Sequence, residues 1–241
     1  TTLAMNIAEY VASHQLESDI APKCVLVFSM EMSADQLALR SIASIGQVDA
    51  NRLRRAQLED EDWAKVTAAI KRINEEMTLL IDDTPALSPD VLRAKARRAK
   101  RDNPGLGLIV VDYLQLMKVP GNKENRATEI GEISGSLKAL AKELNVPVIA
   151  LSQLNRSVES RADKRPLMSD LRESGAIEQD ADMIVFIYRD DYYNKDSQDK
   201  GIAEIILAKS RSGPTGTVRL GFDGAHNCFR NLGPHMHDVA F

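Results

Sequence analysis

Leu108-Ile109-Val110-Val111-Asp112 decides the fold: four consecutive apolar residues end in a carboxylate. An uninterrupted apolar run of this length reads as a strand buried on both faces, the habit of parallel sheets. Val25-Leu26-Val27-Phe28, Met77 to Ile81, Val146 to Leu151 and Met183 to Ile187 read as further strands. Helical stretches lie between them. Residues 2–14 carry Leu3, Ile7, Tyr10 and Val11 at helical spacing, and Ser33 caps a helix with Leu37, Ile42 and Ile45. Residues 49–76 look helical and highly charged, with a break near 57–60. Ser88-Pro89-Asp90 opens a helix that Asn103-Pro104-Gly105 ends, and Ile130, Ile133, Leu137, Leu140 and Leu144 form the stripe of a longer one. The order implies an α/β fold with a mostly parallel central sheet flanked by helices. Ile202 to Ala208 and Thr217 to Phe222 follow without helices between them, so they are expected to join that sheet as an antiparallel edge. With no repeat and no low-complexity linker, one domain over residues 1–241 is the economical expectation.

Composition narrows the function. The 241 residues carry 31 Lys plus Arg against 35 Asp plus Glu, a net charge of −4, which argues against a basic coat for sheathing nucleic acid. A few cations lining a narrow site remain compatible with it. Two cysteines, Cys24 and Cys228, are too few for a disulfide framework or a cysteine zinc site, and both are expected to be reduced and buried. No apolar run reaches the roughly 18 residues needed to cross a bilayer, so a cytoplasmic protein is expected. Thr1-Thr2-Leu3-Ala4-Met5-Asn6 begins in mid-element, as a fragment would.

In an open α/β sheet, ligands bind outside the carboxyl ends of the strands. Three runs deliver polar groups there: Ser29-Met30-Glu31-Met32-Ser33, Asp112-Tyr113-Leu114-Gln115 and Ser152-Gln153-Leu154-Asn155-Arg156. An Asp after Leu-Ile-Val-Val is the pattern of a Walker B carboxylate holding Mg²⁺. Standing alone, it equally fits a turn cap. Thr1-Thr2 before an amphipathic helix is what a phosphate-binding loop, Gly-x-x-x-x-Gly-Lys-Ser/Thr, leaves when cut after its Lys. Two threonines alone would read as an ordinary helix cap.

Six blocks, in order and spread over almost the whole chain, carry a family resemblance. They are Thr1-Thr2-Leu3-Ala4-Met5-Asn6, Phe28-Ser29-Met30-Glu31-Met32, Val110-Val111-Asp112-Tyr113-Leu114-Gln115-Leu116-Met117, Leu151-Ser152-Gln153-Leu154-Asn155-Arg156, the segment from Asp170 to Asp182, and Lys209-Ser210-Arg211-Ser212-Gly213-Pro214-Thr215-Gly216. Together the chain resembles the bacterial replicative DNA helicases of the DnaB family. The resemblance implies a RecA-like P-loop ATPase domain, with the Gly-rich half of the P-loop and an amino-terminal domain lying outside the chain. It implies ATP and Mg²⁺ as ligands, a homohexameric ring, and as partners single-stranded DNA, a helicase loader and, through the amino-terminal domain, a primase.

Site residues follow from the same resemblance. Thr1 supplies a hydroxyl to Mg²⁺ with Asp112 as the Walker B carboxylate, while Thr2 and Arg40 contact nucleotide. Glu31 orients and polarises the attacking water, and Gln153 senses the γ-phosphate. Lys209 and Arg211 reach the γ-phosphate bound by a neighbouring subunit. Arg172, Glu173 and Gly175 form a channel loop on the DNA phosphates, and Lys123 with Arg126 form a second one. The basic run Arg93, Lys95, Arg97, Arg98, Lys100 and Arg101 spreads round its helix without aromatics, so a solvated outer face is expected. A strand-exchange recombinase and a non-enzymatic nucleotide-binding ring are the alternatives.

Overall fold

The computed structural model describes residues 1–14, 23–121 and 125–232, with the side chains of residues 172–174 outside that description. Contacts divide the chain into two compact units: residues 1–123, 136–152 and 224–228, and residues 124–135, 153–223 and 229–241.

The helices and strands in chain order are α1 (Thr2–Ser13), β1 (Cys24–Ser29), α2 (Ala34–Gly46), α3 (Ala50–Arg54), α4 (Asp60–Glu76), β2 (Leu79–Asp82), α5 (Pro89–Asp102) and β3 (Leu106–Asp112). They continue with α6 (Arg126–Leu144), β4 (Val148–Ala150), α7 (Gly175–Asp180), β5 (Met183–Tyr188), α8 (Asp190–Tyr193), β6 (Ile202–Ser210), β7 (Gly216–Asp223) and β8 (Cys228–Asn231).

In the first unit, β2-β1-β3-β4 form a parallel sheet in that order. Val27 sits opposite Val110 and Ser29 opposite Asp112, so β1 and β3 end level with each other. All six residues of β1 are buried, as its apolar run requires. Ala4, Met5, Ala8 and Ala12 of α1 pack with Val25, Val27, Leu108 and Val110. Ile109 of β3 has no exposed surface. Ile109→Ala is expected to cost about 2–5 kcal/mol of stability. Denaturant unfolding of the two proteins measures it.

Capping explains where the helices start. The Ser33 hydroxyl accepts from the Gln36 amide and the Gln36 side chain accepts from the Ser33 amide, a reciprocal box that fixes the start of α2. Ser88 caps α5, whose first residue is Pro89. The cations of α5 have partners inside this unit. Arg93 and Arg97 both bind Glu143, Lys95 binds Asp82 at 2.5 Å and Thr84 at 2.8 Å, and Lys100 donates to the Leu106 carbonyl. Arg97 and Arg93 hold the Glu143 carboxyl below the usual carboxylate range. Arg93, Lys95 and Arg97 thus brace their helix against β2 and residue 143, while Arg98 and Arg101 stay exposed, as expected, and pair with Asp102 of the same helix.

β5-β6-β7-β8, which apart from Cys228 belong to the second unit, form a sheet of their own, antiparallel from β5 through β7. This corrects the expectation that the late strands extend the first sheet's edge. It also revises the reading of Met183 to Ile187 as a strand covered on both faces. Ile184, Phe186 and Leu171 are buried with Met168, Leu154 and Ile206, whereas Met183, Val185 and Ile187 are exposed. Antiparallel pairing exposes alternate residues on one face.

Cys24 and Cys228 are both buried thiols, as expected, and burial pushes the Cys24 pKa up. Among the described residues, no helix is long and apolar enough to cross a membrane.

Candidate active site

Thr1 stands at the N-cap of α1, yet its side chain caps nothing. The hydroxyl donates instead to Asp112 Oδ2 at 2.6 Å. Asp112 is 3% exposed at the carboxyl end of β3, so its carboxyl group is held against that hydroxyl at the sheet's rim. An ordinary helix cap would turn its oxygen to the amides of the first turn. Thr2 is the first residue of α1 and is half-buried.

Glu31 is exposed, on a turn that local bonds hold in place. The Met30 amide donates to the Asp112 carbonyl at 2.8 Å, prolonging the β1–β3 pairing by one residue. The Ser29 hydroxyl donates to the Met32 carbonyl at 2.7 Å and closes the turn. The Ala34 amide, at the start of α2, donates to Asp83 at 2.9 Å and anchors its far side. Arg40 lies near the middle of α2 and is half-buried. Of the residues picked out by sequence, Thr1 and Asp112 are in direct hydrogen-bond contact, and the Glu31 turn is joined to the same strand end through the Asp112 carbonyl.

Gln115 and Ser152 stand in the sequence motifs with no role assigned to them. Gln115 Nε2 donates to the Ser152 hydroxyl at 2.9 Å, and the Leu114 amide donates to the Leu151 carbonyl at 2.9 Å. These bonds tie the segment after β3 to the segment after β4. Both run past the same sheet edge, which is the signal that could have linked them. Gln153 comes next in the chain and is exposed.

Lys209 and Arg211 belong to the second unit, at and just beyond the end of β6. Both reach the carbonyl end of α7. Lys209 Nζ donates to the carbonyls of Glu178 and Ala181, the latter at 2.8 Å. Arg211 donates to the Gln179 carbonyl at 2.5 Å, and its Nε lies 3.5 Å from the Asp182 carboxylate. Cations suit a helix C-terminus, where carbonyls lack amide partners. Residues two apart leave a strand on the same side, so both cations gather at one place.

The segment read as a loop at Arg172, Glu173 and Gly175 is helical: a 3-10 stretch, Met168–Ser174, leads into α7. The side chains of Arg172 and Glu173 lie outside the described residues. Gly175 has φ −50°, and a Cβ built there would meet nothing within 4 Å. The fold itself does not require glycine at this position. Arg126 opens α6 and pairs with Glu129. Lys123 lies outside the described residues.

The family described as the DnaB-like helicase C terminal domain matches residues 1–231. The replicative DNA helicase DnaB of Pasteurella multocida (strain Pm70) is 58% identical over 233 residues, which are 96% of this chain and 49% of that protein. The chain thus spans about half the length of the curated relatives it matches. Among solved structures, one described as an ATPase domain superposes with a TM-score of 0.90 at 41% identity, covering 96% of this chain and 80% of that one. A DnaB-like replicative helicase described with its interactions with primase gives a TM-score of 0.87 at 41% identity, covering 97% and 54%. A shared domain architecture, a Thr–Asp pair at the rim of a parallel sheet and this degree of identity lead to one assignment: the chain belongs to the DnaB-like helicase C-terminal domain family.

Proposed function

We propose that this chain is the motor domain of a replicative DNA helicase, a ring of six copies that hydrolyses ATP to move along single-stranded DNA and separate a duplex. One observation carries the reading. The hydroxyl at the start of α1 is directed to the buried carboxylate at the end of β3 and not to its own helix.

The residues fit a nucleotide with Mg²⁺. Thr1 and Asp112 offer adjacent oxygen donors, the hard-ligand set that Mg²⁺ takes alongside phosphate and water. Bound there, Mg²⁺ would neutralise charge on the phosphates. Asp112 holds and orients the Thr1 hydroxyl, and Thr2 with Arg40 flanks the nucleotide. Glu31, on its braced turn, takes a proton from the attacking water. Gln153 reads the γ-phosphate through a neutral amide, and its neighbour Ser152 ties that segment to Gln115. Lys209 and Arg211 serve the nucleotide of the adjacent copy.

Arg172, Glu173 and Gly175 contact the DNA backbone at the entry to α7, where open space beside Gly175 supports close approach of a strand. Lys123 and Arg126 form the second contact. The protein acts in the cytoplasm. A loader and a primase are its partners, the latter by analogy with the relative described with primase.

The test uses the full-length protein. ATP hydrolysis and unwinding of a forked duplex are measured across concentrations that span ring assembly, followed by sedimentation. Specific ATPase activity is expected to rise with assembly and again with single-stranded DNA. Equal specific activity in a proven monomer would sink the reading. Open filaments by electron microscopy, with strand exchange, would point to a recombinase instead.

A further inference from the structure

Glu9 is a carboxylate buried in the flank of α1, 7% exposed, and none of the roles above uses it. Its Oε2 accepts from the Ser44 hydroxyl of α2 at 3.0 Å and from the Asn6 amide at 3.4 Å. Asn6 Nδ2 also reaches the Ser44 hydroxyl and the Asn227 carbonyl, each at 3.2 Å. Ser41 Oγ lies beside the same carboxyl, buried and without completing a hydrogen bond. Burial pushes the Glu9 pKa up, while the hydroxyls of Ser41 and Ser44 and the Asn6 amide act against it.

This cluster joins three pieces of chain. The first is α1, which begins beside Thr1. The second is α2, which follows the Glu31 turn and carries Arg40. The third is the turn at residues 224–228. Elsewhere α1 meets the sheet through Ala4, Met5, Ala8 and Ala12, with Val11 partly buried beside them. Methyl groups give apolar burial, which is non-directional, and they interlock weakly against rotation or sliding. Hydrogen bonds have narrow geometry and add a directional constraint to that apolar contact. Glu9 lies about 12 Å along the helix axis from Thr1, at 1.5 Å per residue. A small rotation at Glu9 is transmitted by the rigid helix to the Thr1 hydroxyl.

We propose that Glu9 is a positioning residue for the Thr1–Asp112 pair: by tying α1 to α2 it keeps the Thr1 hydroxyl on the carboxylate and in register with Glu31 and Arg40. The inference rests on the proposed nucleotide site.

The experiment compares Glu9→Leu, Glu9→Gln and Ser44→Ala in the full-length protein. Three quantities are read: the Mg²⁺ concentration that half-saturates ADP binding, kcat with KM for ATP, and the thermal midpoint. Groups that orient a metal ligand typically change metal affinity or activity by 10–100-fold, so Glu9→Leu is expected to raise half-saturating Mg²⁺ about tenfold. ADP binding without Mg²⁺ should be unchanged, and kcat should fall more than KM changes. Glu9→Gln should restore wild-type behaviour within about twofold, since its carbonyl can accept from Ser44 and Asn6 and its amide can donate to Ser41. Ser44→Ala should shift the Mg²⁺ requirement the same way by a smaller factor, and it decides the matter if the Leu variant fails to fold. A lowered thermal midpoint with an unchanged Mg²⁺ requirement would overturn the proposal. Thr1→Ala is the control: if it leaves the Mg²⁺ requirement unchanged, the site reading fails and not the role of Glu9.

Discussion

Glu31→Ala in the full-length protein is expected to lower DNA-stimulated ATP hydrolysis by about 10²–10⁴-fold, the usual contribution of a positioned general base. ADP binding should stay within about twofold, because in the proposed site that carboxylate acts on water and not on the diphosphate. The bracing of its turn supports the proposed role. Glu31 is exposed, as a group meeting substrate must be, but its turn is not loose. The Met30 amide sits on the Asp112 carbonyl, the Ser29 hydroxyl closes the turn, and Asp83 anchors the start of α2. Glu31→Gln separates basicity from placement. It keeps the shape and the hydrogen bonding, so a loss equal to that of Ala identifies proton transfer. Recovery of turnover in the Gln variant would make Glu31 a purely positional group.

Arg211→Ala is expected to cost about 10³-fold or more in kcat, the range for an arginine acting on the γ-phosphate from a neighbouring subunit. Lys209→Ala should act in the same direction. In the free chain both cations rest on the last carbonyls of α7, so truncation also leaves those carbonyls without their donors. Mixing experiments remove that ambiguity. Arg211→Ala copies carry an intact Glu31, and Glu31→Ala copies carry an intact Arg211. If the arginine works across the interface, rings assembled from an equal mixture contain roughly one competent interface in four, from head-to-tail packing. Activity should then reappear although each variant alone is dead. Absence of any rescue, with mixed rings shown to form, would place Arg211 in its own subunit's site.

The contacts around α7 link these expectations. The proposed DNA-contacting stretch enters α7 at Gly175, and the two cations hold its other end at the carbonyls of Glu178, Gln179 and Ala181. A six-residue helix has too few internal hydrogen bonds to be stable by itself, so its placement depends on what holds its ends.

Much was legible in the sequence. The apolar runs at residues 25–28 and 108–111 marked two buried parallel strands, because a segment apolar on both faces can be satisfied only between layers. Ser33 and Ser88 marked helix starts, because a hydroxyl before a helix satisfies an orphan amide by a local bond. Asp112 at the end of its run, Glu31 after the first strand, and the resemblance across six blocks placed the site at one sheet edge.

Other features had no local signal. Met183 to Ile187 is as apolar as Leu108 to Val111, yet Met183, Val185 and Ile187 are exposed. Strand direction and coverage depend on which distant segment pairs with it, and composition does not record that. Lys209 and Arg211 are expected by resemblance to reach a neighbour's phosphate, and only the return of the chain at α7 supplies the carbonyl partners they have within this chain. Nothing local marks Glu9 as buried in its helix. The sequence by itself determined the strands, the caps and the order of the motifs, all of which rest on interactions within a few residues. Only the tertiary structure decided that Thr1 faces Asp112, 111 positions away, and that Glu9 is buried on α2, since both follow from packing between segments remote in the chain.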